Sequence, residues 1–170
     1  MLFSCESDDP VPENSEELIT TVNLAFTPHG GGATIFLEFK DLDGDGGSAP
    51  VINGGTLTAH TVYHATLTLL NESVVPTNDI TQEILAEADA HQFFFETMSV
   101  QLDHAYDDMD GNGNPIGVVN TFVTGDTSTG TLSVILRHEP DKSAAGVADG
   151  DITKAGGETD IEVTFPISVQ

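Results

Sequence analysis

Thr159-Asp160-Ile161-Glu162-Val163-Thr164-Phe165-Pro166-Ile167-Ser168-Val169 decides the fold of this 170-residue chain. Ile161, Val163, Phe165, Ile167 and Val169 share one parity, while Asp160, Glu162, Thr164 and Ser168 share the other. That is the period of a strand with one buried face. Pro166 has no N–H to give a neighbour, so part of this strand is expected at a sheet edge. Upstream, Leu132, Val134 and Leu136 alternate in the same way within Thr131–His138. Six more runs rich in Val, Ile, Thr and Phe read as strands: Leu18–Thr27, Thr34–Lys40, Val62–Asn71, Phe93–Thr97, Val100–Tyr106 and Val118–Thr124. Gly, Asn and Asp clusters separate them. About eight antiparallel strands, each with one polar face, imply an all-β domain of immunoglobulin-like β-sandwich type. The domain is expected over residues 18–170.

One segment breaks the period. Between Thr77 and His91, Ile80, Ile84 and Ala88 recur at i, i+4 and i+8, the stripe of a short helix. Asn78 or Thr77 is expected as its N-cap, with acids in the first turn.

Charge bounds the partners. Twenty-eight Asp and Glu oppose only Lys40, Arg137, Lys142 and Lys154, a formal charge of −24. Such a surface repels phosphate backbones, which excludes nucleic acid and makes cations the natural counter-ligand. Residues 6–17 carry six acids, two prolines and no aromatic side chain, a composition expected to form a flexible tether.

Two loops repeat the pattern D-x-[DN]-x-[DN]-G, with Asp41, Asp43 and Asp45 in one and Asp108, Asp110 and Asn112 in the other. Alternate hard oxygens around a glycine turn suit Ca²⁺. Strands precede both loops and position twelve is Ile52 or Val119, so neither is an EF-hand. Plain turns with solvated acids produce the same pattern.

Histidine offers a second kind of metal site. Glu87 and His91, four apart, would share a helix face, and His138 at a strand end could join them. Imidazole mixed with carboxylate suits Zn²⁺ or another transition ion. His60 and His64 are about 13 Å apart along a strand, too far to share an ion. His104 shares parity with Leu102 and Tyr106 and reads as a packed core-edge histidine. No nucleophile elbow, zinc-protease helix, Walker loop or dinucleotide fingerprint is present. The chain does not read as an enzyme.

The single cysteine is Cys5, and Leu2-Phe3-Ser4-Cys5 resembles the lipobox of bacterial lipoproteins. The resemblance implies that Cys5 carries the lipid and that residues 1–4 are a signal remnant. Longer stretches resemble a family of small surface lipoproteins from marine Bacteroidota: DLDGDGG at 41–47, LTLLNES at 67–73, DITQEILAEADAHQFFF at 79–95, AYDDMDGNGNPIG at 105–117, and TGTLSVILRHEPDKSAAGVADGDIT with GGETDIEV within 129–163. Members are often labelled "type 1 periplasmic binding fold", which implies two lobes of alternating strands and helices. The residues of this chain imply an all-β body instead. The resemblance further implies an outer-membrane, cell-surface location, lipid anchorage through Cys5, and a TonB-dependent receptor as partner. The acids Glu6, Asp8 and Asp9 are similar to the export signals of such lipoproteins. The leading expectation is therefore a cation-binding accessory of TonB-dependent uptake, and the other is a structural or adhesive immunoglobulin-like surface module.

Overall fold

The computed structural model describes residues 18–44 and 47–170. Cys5, the tether 6–17 and Asp45, each named above, lie outside the described residues. In chain order the strands are β1 (Thr21–Pro28), β2 (Ile35–Lys40), β3 (Val51–Asn53), β4 (Gly55–Leu57), β5 (Val62–Asn71), β6 (Asn78–Asp79), β7 (His91–Met98), β8 (Leu102–Tyr106), β9 (Val119–Thr124), β10 (Ser128–His138) and β11 (Glu158–Val169). One helix, α1 (Ile80–Ala86), lies between β6 and β7.

These strands form two sheets, in the orders β3-β2-β1-β5-β9-β8 and β4-β11-β10-β7, with β6 added to β5. The alternating apolar residues face each other between them. Leu24, Phe26, Tyr63 and Phe122 from the first sheet share one core with Phe93, Leu132, Val134 and Phe165 from the second. Phe26 meets Tyr63 edge-on at 5.9 Å, and Phe122 meets Phe95 across the sheets at 5.4 Å. The result is an all-β sandwich carrying one short helix, as the alternation implies.

β11 has the expected face, with Val163, Phe165, Ile167 and Val169 buried. It lies open opposite β10 until Ile167, where β4 joins it, so Pro166 stands where no N–H is required. That β4–β11 pairing is parallel, the one departure from an antiparallel layout among the described strand pairs. The three-residue β3 and β4, separated only by Gly54, are too short to be read from their own sequence.

The helix is shorter than its stripe. Asp79, and not Asn78 or Thr77, caps it, accepting from Thr81 N–H at 3.1 Å. It ends at Ala86. Glu87 takes φ −110° and ψ 35°, a single 3₁₀ turn covers Ala88–Ala90, and His91 already begins β7. No described helix is long and apolar enough to cross a membrane.

Beyond β10 the chain forms a strap, residues 139–157, folded over the outer face of the second sheet. Val147 and Ala155 pack there on Phe94 and Ile135. This second layer explains why Phe93 and Phe94, on opposite faces of β7, are both fully buried.

A candidate metal centre at the end of the second sheet

His91 and His138 open β7 and close β10, and the register makes them direct cross-strand partners two residues past the pair Phe93–Leu136. They share the inner parity but lie where the sheet runs out of core. Their rings stack, 4.8 Å apart and 8° from parallel. Asp160 arrives from β11 by a bulge: Leu136 pairs with Ile161 and Arg137 with Thr159, which leaves Asp160 as the extra residue. Bulges re-aim side chains in this way. By simple alternation Asp160 would sit outward with Glu162 and Thr164, yet its side chain is only 10% exposed and that of His91 only 4%.

Among the described residues these three form the one group of His, Cys, Asp or Glu whose ligand atoms, one from each, lie within 4.8 Å of one another. His91 Nε2 stands 3.8 Å from Asp160 Oδ2. That is beyond hydrogen-bond reach, and it approaches the separation of about 3.3 Å between neighbouring ligands of a tetrahedral ion with bonds of about 2.0–2.1 Å. His91 Nδ1 is 3.1 Å from the carbonyl oxygen of Glu87. A carbonyl can only accept, so Nδ1 carries a proton and it is Nε2 that faces Asp160. Metal-binding histidines are typically held by such a bond to a backbone carbonyl.

Two parallel rings face to face cannot both hold one ion in their planes. Closure therefore requires one imidazole to turn about χ2, a soft torsion for histidine. Turning His91 would break its bond to Glu87.

Glu87 does not supply a carboxylate. The helix ends before it, its side chain is exposed beside a cleft of about 440 Å³ lined also by Asp89 and Gly111, and only its carbonyl meets His91. The one-turn spacing that paired Glu87 with His91 does not hold because the two residues share no helix. Asp160 takes its place, and no periodicity marks that residue. A weak local signal is the Gly156-Gly157 pair, both at positive φ, where Gly157 packs on the His138 carbonyl and brings β11 close.

The two aspartate loops use their oxygens on the chain itself. Asp41 Oδ1 accepts from Gly44 N–H and Asp43 Oδ2 from Ser48 N–H, both at 2.9 Å. The Ser48 backbone bond holds the Asp43 carboxyl below its usual range. Asp108 accepts three backbone bonds, from Gly117 at 2.7 Å and from Val118 and Val119 at 2.9 Å. Asp110 Oδ1 accepts from Asn112 and Asn114 N–H at 2.9 Å, and its Oδ2 meets the ammonium of Lys142 at 3.0 Å. Asn112 enters through its backbone N–H. The cation at this loop is thus a lysine of the same chain.

Lys142 completes three bonds with Ala88 O at 2.7 Å and Pro115 O at 3.1 Å, which saturates its three protons. The side chains of the pair are 5% and 0% exposed. Burial pushes the Asp110 carboxyl up, but the Asn114 N–H, the Lys142 ammonium and the Asn112 N–H together outweigh it and hold the group low. Nothing in the sequence marks Lys142, because a lone lysine among acids has the pattern of a surface residue.

His104 is a packed histidine, wedged against Phe95, Tyr106 and Phe122 at 4.4, 4.5 and 5.0 Å. Its Nε2 bonds Asn120 Oδ1 at 2.8 Å. Burial pushes its pKa below 6.5, against the opposing pull of Asn120 and Asp107. The unfolded chain then takes up this proton at higher pH than the folded one. The contribution is complete above about pH 6.5 and is lost as pH falls through the folded value. Urea denaturation between pH 7.5 and 5.5 is expected to show a shallower loss of stability in His104→Gln than in the wild type. Equal slopes would remove His104 from the account.

Neither family models, nor curated proteins, nor solved structures match this chain. The metal reading below therefore rests on the side chains alone.

Proposed function

We propose that this domain captures a divalent transition metal at His91, His138 and Asp160, as part of a lipid-anchored surface protein that assists a TonB-dependent outer-membrane receptor. The observation that carries the metal reading is the convergence of two imidazoles and a carboxylate, with the His91 ring already pinned through Nδ1 and its Nε2 toward Asp160. Two nitrogens and one oxygen favour Zn²⁺ or a neighbouring transition ion over Ca²⁺, and three protein ligands leave a position through which cargo can be exchanged. The excess of 24 negative charges raises the local concentration of any cation around the module. Anchorage at Cys5, surface location and the receptor partner are supported by the lipobox-like start and the family-like stretches.

Equilibrium dialysis with Zn²⁺, Co²⁺ and Ca²⁺ on the full chain tests the site. One equivalent of Zn²⁺ is expected, with affinity falling about 100-fold or more in His91→Ala, His138→Ala and Asp160→Ala. Glu87→Gln should stay within about threefold, since only its carbonyl takes part. Zinc binding that survives both histidine substitutions sinks the site. No retained transition metal would favour the structural or adhesive immunoglobulin-like module, and calcium retained by His91→Ala/His138→Ala/Asp160→Ala would assign a separate ion to the aspartate loops.

A further inference from the structure

The strap that leaves β10 carries His138 and then doubles back on the turn that orients His91. Glu139 N–H donates to Ala90 O at 2.6 Å, and Lys142 Nζ donates to Ala88 O at 2.7 Å. Between those two grips lies the 3₁₀ turn Ala88–Ala90, which has no buried residue and no side-chain cap. Hydrogen bonds fix it, with the half-buried Ala88 resting on the edge of the core. The turn follows directly on Glu87, whose carbonyl accepts from Ala90 N–H at 2.9 Å and from His91 Nδ1 at 3.1 Å. On its other side Lys142 holds Asp110 and Pro115 O, and the next carbonyl, Ile116 O, accepts from Phe93 N–H at 2.7 Å at the start of β7.

We propose that Lys142 is a positioning residue for the His91–His138–Asp160 centre: its ammonium clamps the Glu87–Ala90 turn to the 108–116 loop, and so fixes the carbonyl that sets the His91 tautomer. A ligand histidine whose outer partner is lost typically forfeits about 10- to 100-fold in metal affinity. Here that partner is a backbone carbonyl, so the chain must immobilise backbone. One of its four basic side chains is buried to do so. The consequence for affinity rests on the metal reading above, whereas the consequence for the imidazole does not.

The test compares wild type with the double variant Lys142→Met/Asp110→Asn. The amide oxygen that Asp110→Asn introduces can keep the two loop N–H bonds, and no unpaired charge is left behind. ¹⁵N-histidine correlation spectra of the metal-free proteins are expected to show His91 locked as the Nδ1–H tautomer in the wild type and shifted toward Nε2–H in the double variant. Zn²⁺ affinity should fall at least tenfold while the far-UV spectrum stays unchanged. A folded double variant whose His91 keeps the wild-type tautomer overturns the proposal. Should this variant not fold, Lys142→Gln/Asp110→Asn takes its place under the same criterion. If the wild type binds no metal, the metal reading fails by itself, and the tautomer comparison still decides the role of Lys142.

Discussion

Asp108→Ala is expected to destabilise the domain by about 3–5 kcal/mol, because it removes the shared acceptor of three consecutive backbone donors. The carboxylate bridges from the end of β8 to the stretch Gly117–Val119 that enters β9. Gly117 sits at φ 90°, where an added Cβ would press on the Phe93 side chain and the Tyr106 ring, and Val118 is buried. Gly117 and Val118 are buried, while Val119 and Asp108 are half-buried. Each buried, unpaired N–H costs about 1–3 kcal/mol, and bonds to a charged oxygen are the stronger kind. Asp108→Asn keeps one acceptor oxygen but turns an NH₂ toward at least one donor, so an intermediate loss is expected. Urea denaturation of both variants reads the effect. A loss below about 1 kcal/mol in Asp108→Ala would show that these bonds are replaced by solvent. The same carboxylate was a calcium candidate, which gives a second check: with its oxygens committed to backbone, a calcium-selective chelator should leave the wild-type midpoint unchanged.

What the sequence could and could not show follows from the range of each determinant. Alternation is local, so the inward faces of β10 (Leu132, Val134, Leu136) and of β11 (Val163, Phe165, Ile167, Val169) are legible. Phe94 is not, because what buries it is a strap some fifty residues later, through Val147 and Ala155. The helix stripe Ile80–Ile84 is real, but its third member, Ala88, falls in a 3₁₀ turn once Glu87 leaves helical geometry. That single termination moved His91 from a helix face to a strand, and changed its partner from Glu87 to Asp160. The pairing of His91 with His138 was legible as residue types without a geometry. Asp160 was not, because a bulge depends on the register between two strands and not on the composition of either. The aspartate loops mislead for a related reason. Their spacing reports a turn that needs oxygens, and the donors filling that need are its own N–H groups and a lysine about thirty residues away in sequence.

Lys142→Met by itself is expected to lower stability by about 3–5 kcal/mol, the usual consequence of leaving one member of a buried ion pair behind. Asp110 would then face the interior with Oδ2 uncompensated, its side chain fully buried, and the carbonyls of Ala88 and Pro115 would lose their donor as well. The pair itself need not contribute much, since desolvating two charges offsets most of their attraction. Removing both is thus expected to be milder than removing one. The choice of the second substitution matters. Asp110→Leu would orphan the N–H groups of Asn112 and Asn114, whereas Asp110→Asn keeps an oxygen for them. In urea, Lys142→Met/Asp110→Asn should therefore lie closer to the wild type than Lys142→Met does, and Lys142→Met/Asp110→Leu should not. The pH dependence has a definite sign. Because the folded Asp110 carboxyl is held below 3.8, its share of stability is present above that pH and lost as pH falls through the folded value. Lys142→Met, which removes the ammonium that lowers this carboxyl, should accordingly be least deficient at acid pH, where a protonated Asp110 needs no counter-charge. A deficit that stays constant from pH 7 to pH 3 would mean that the lysine acts through its packing and its two carbonyl bonds, and not as the cation of the loop.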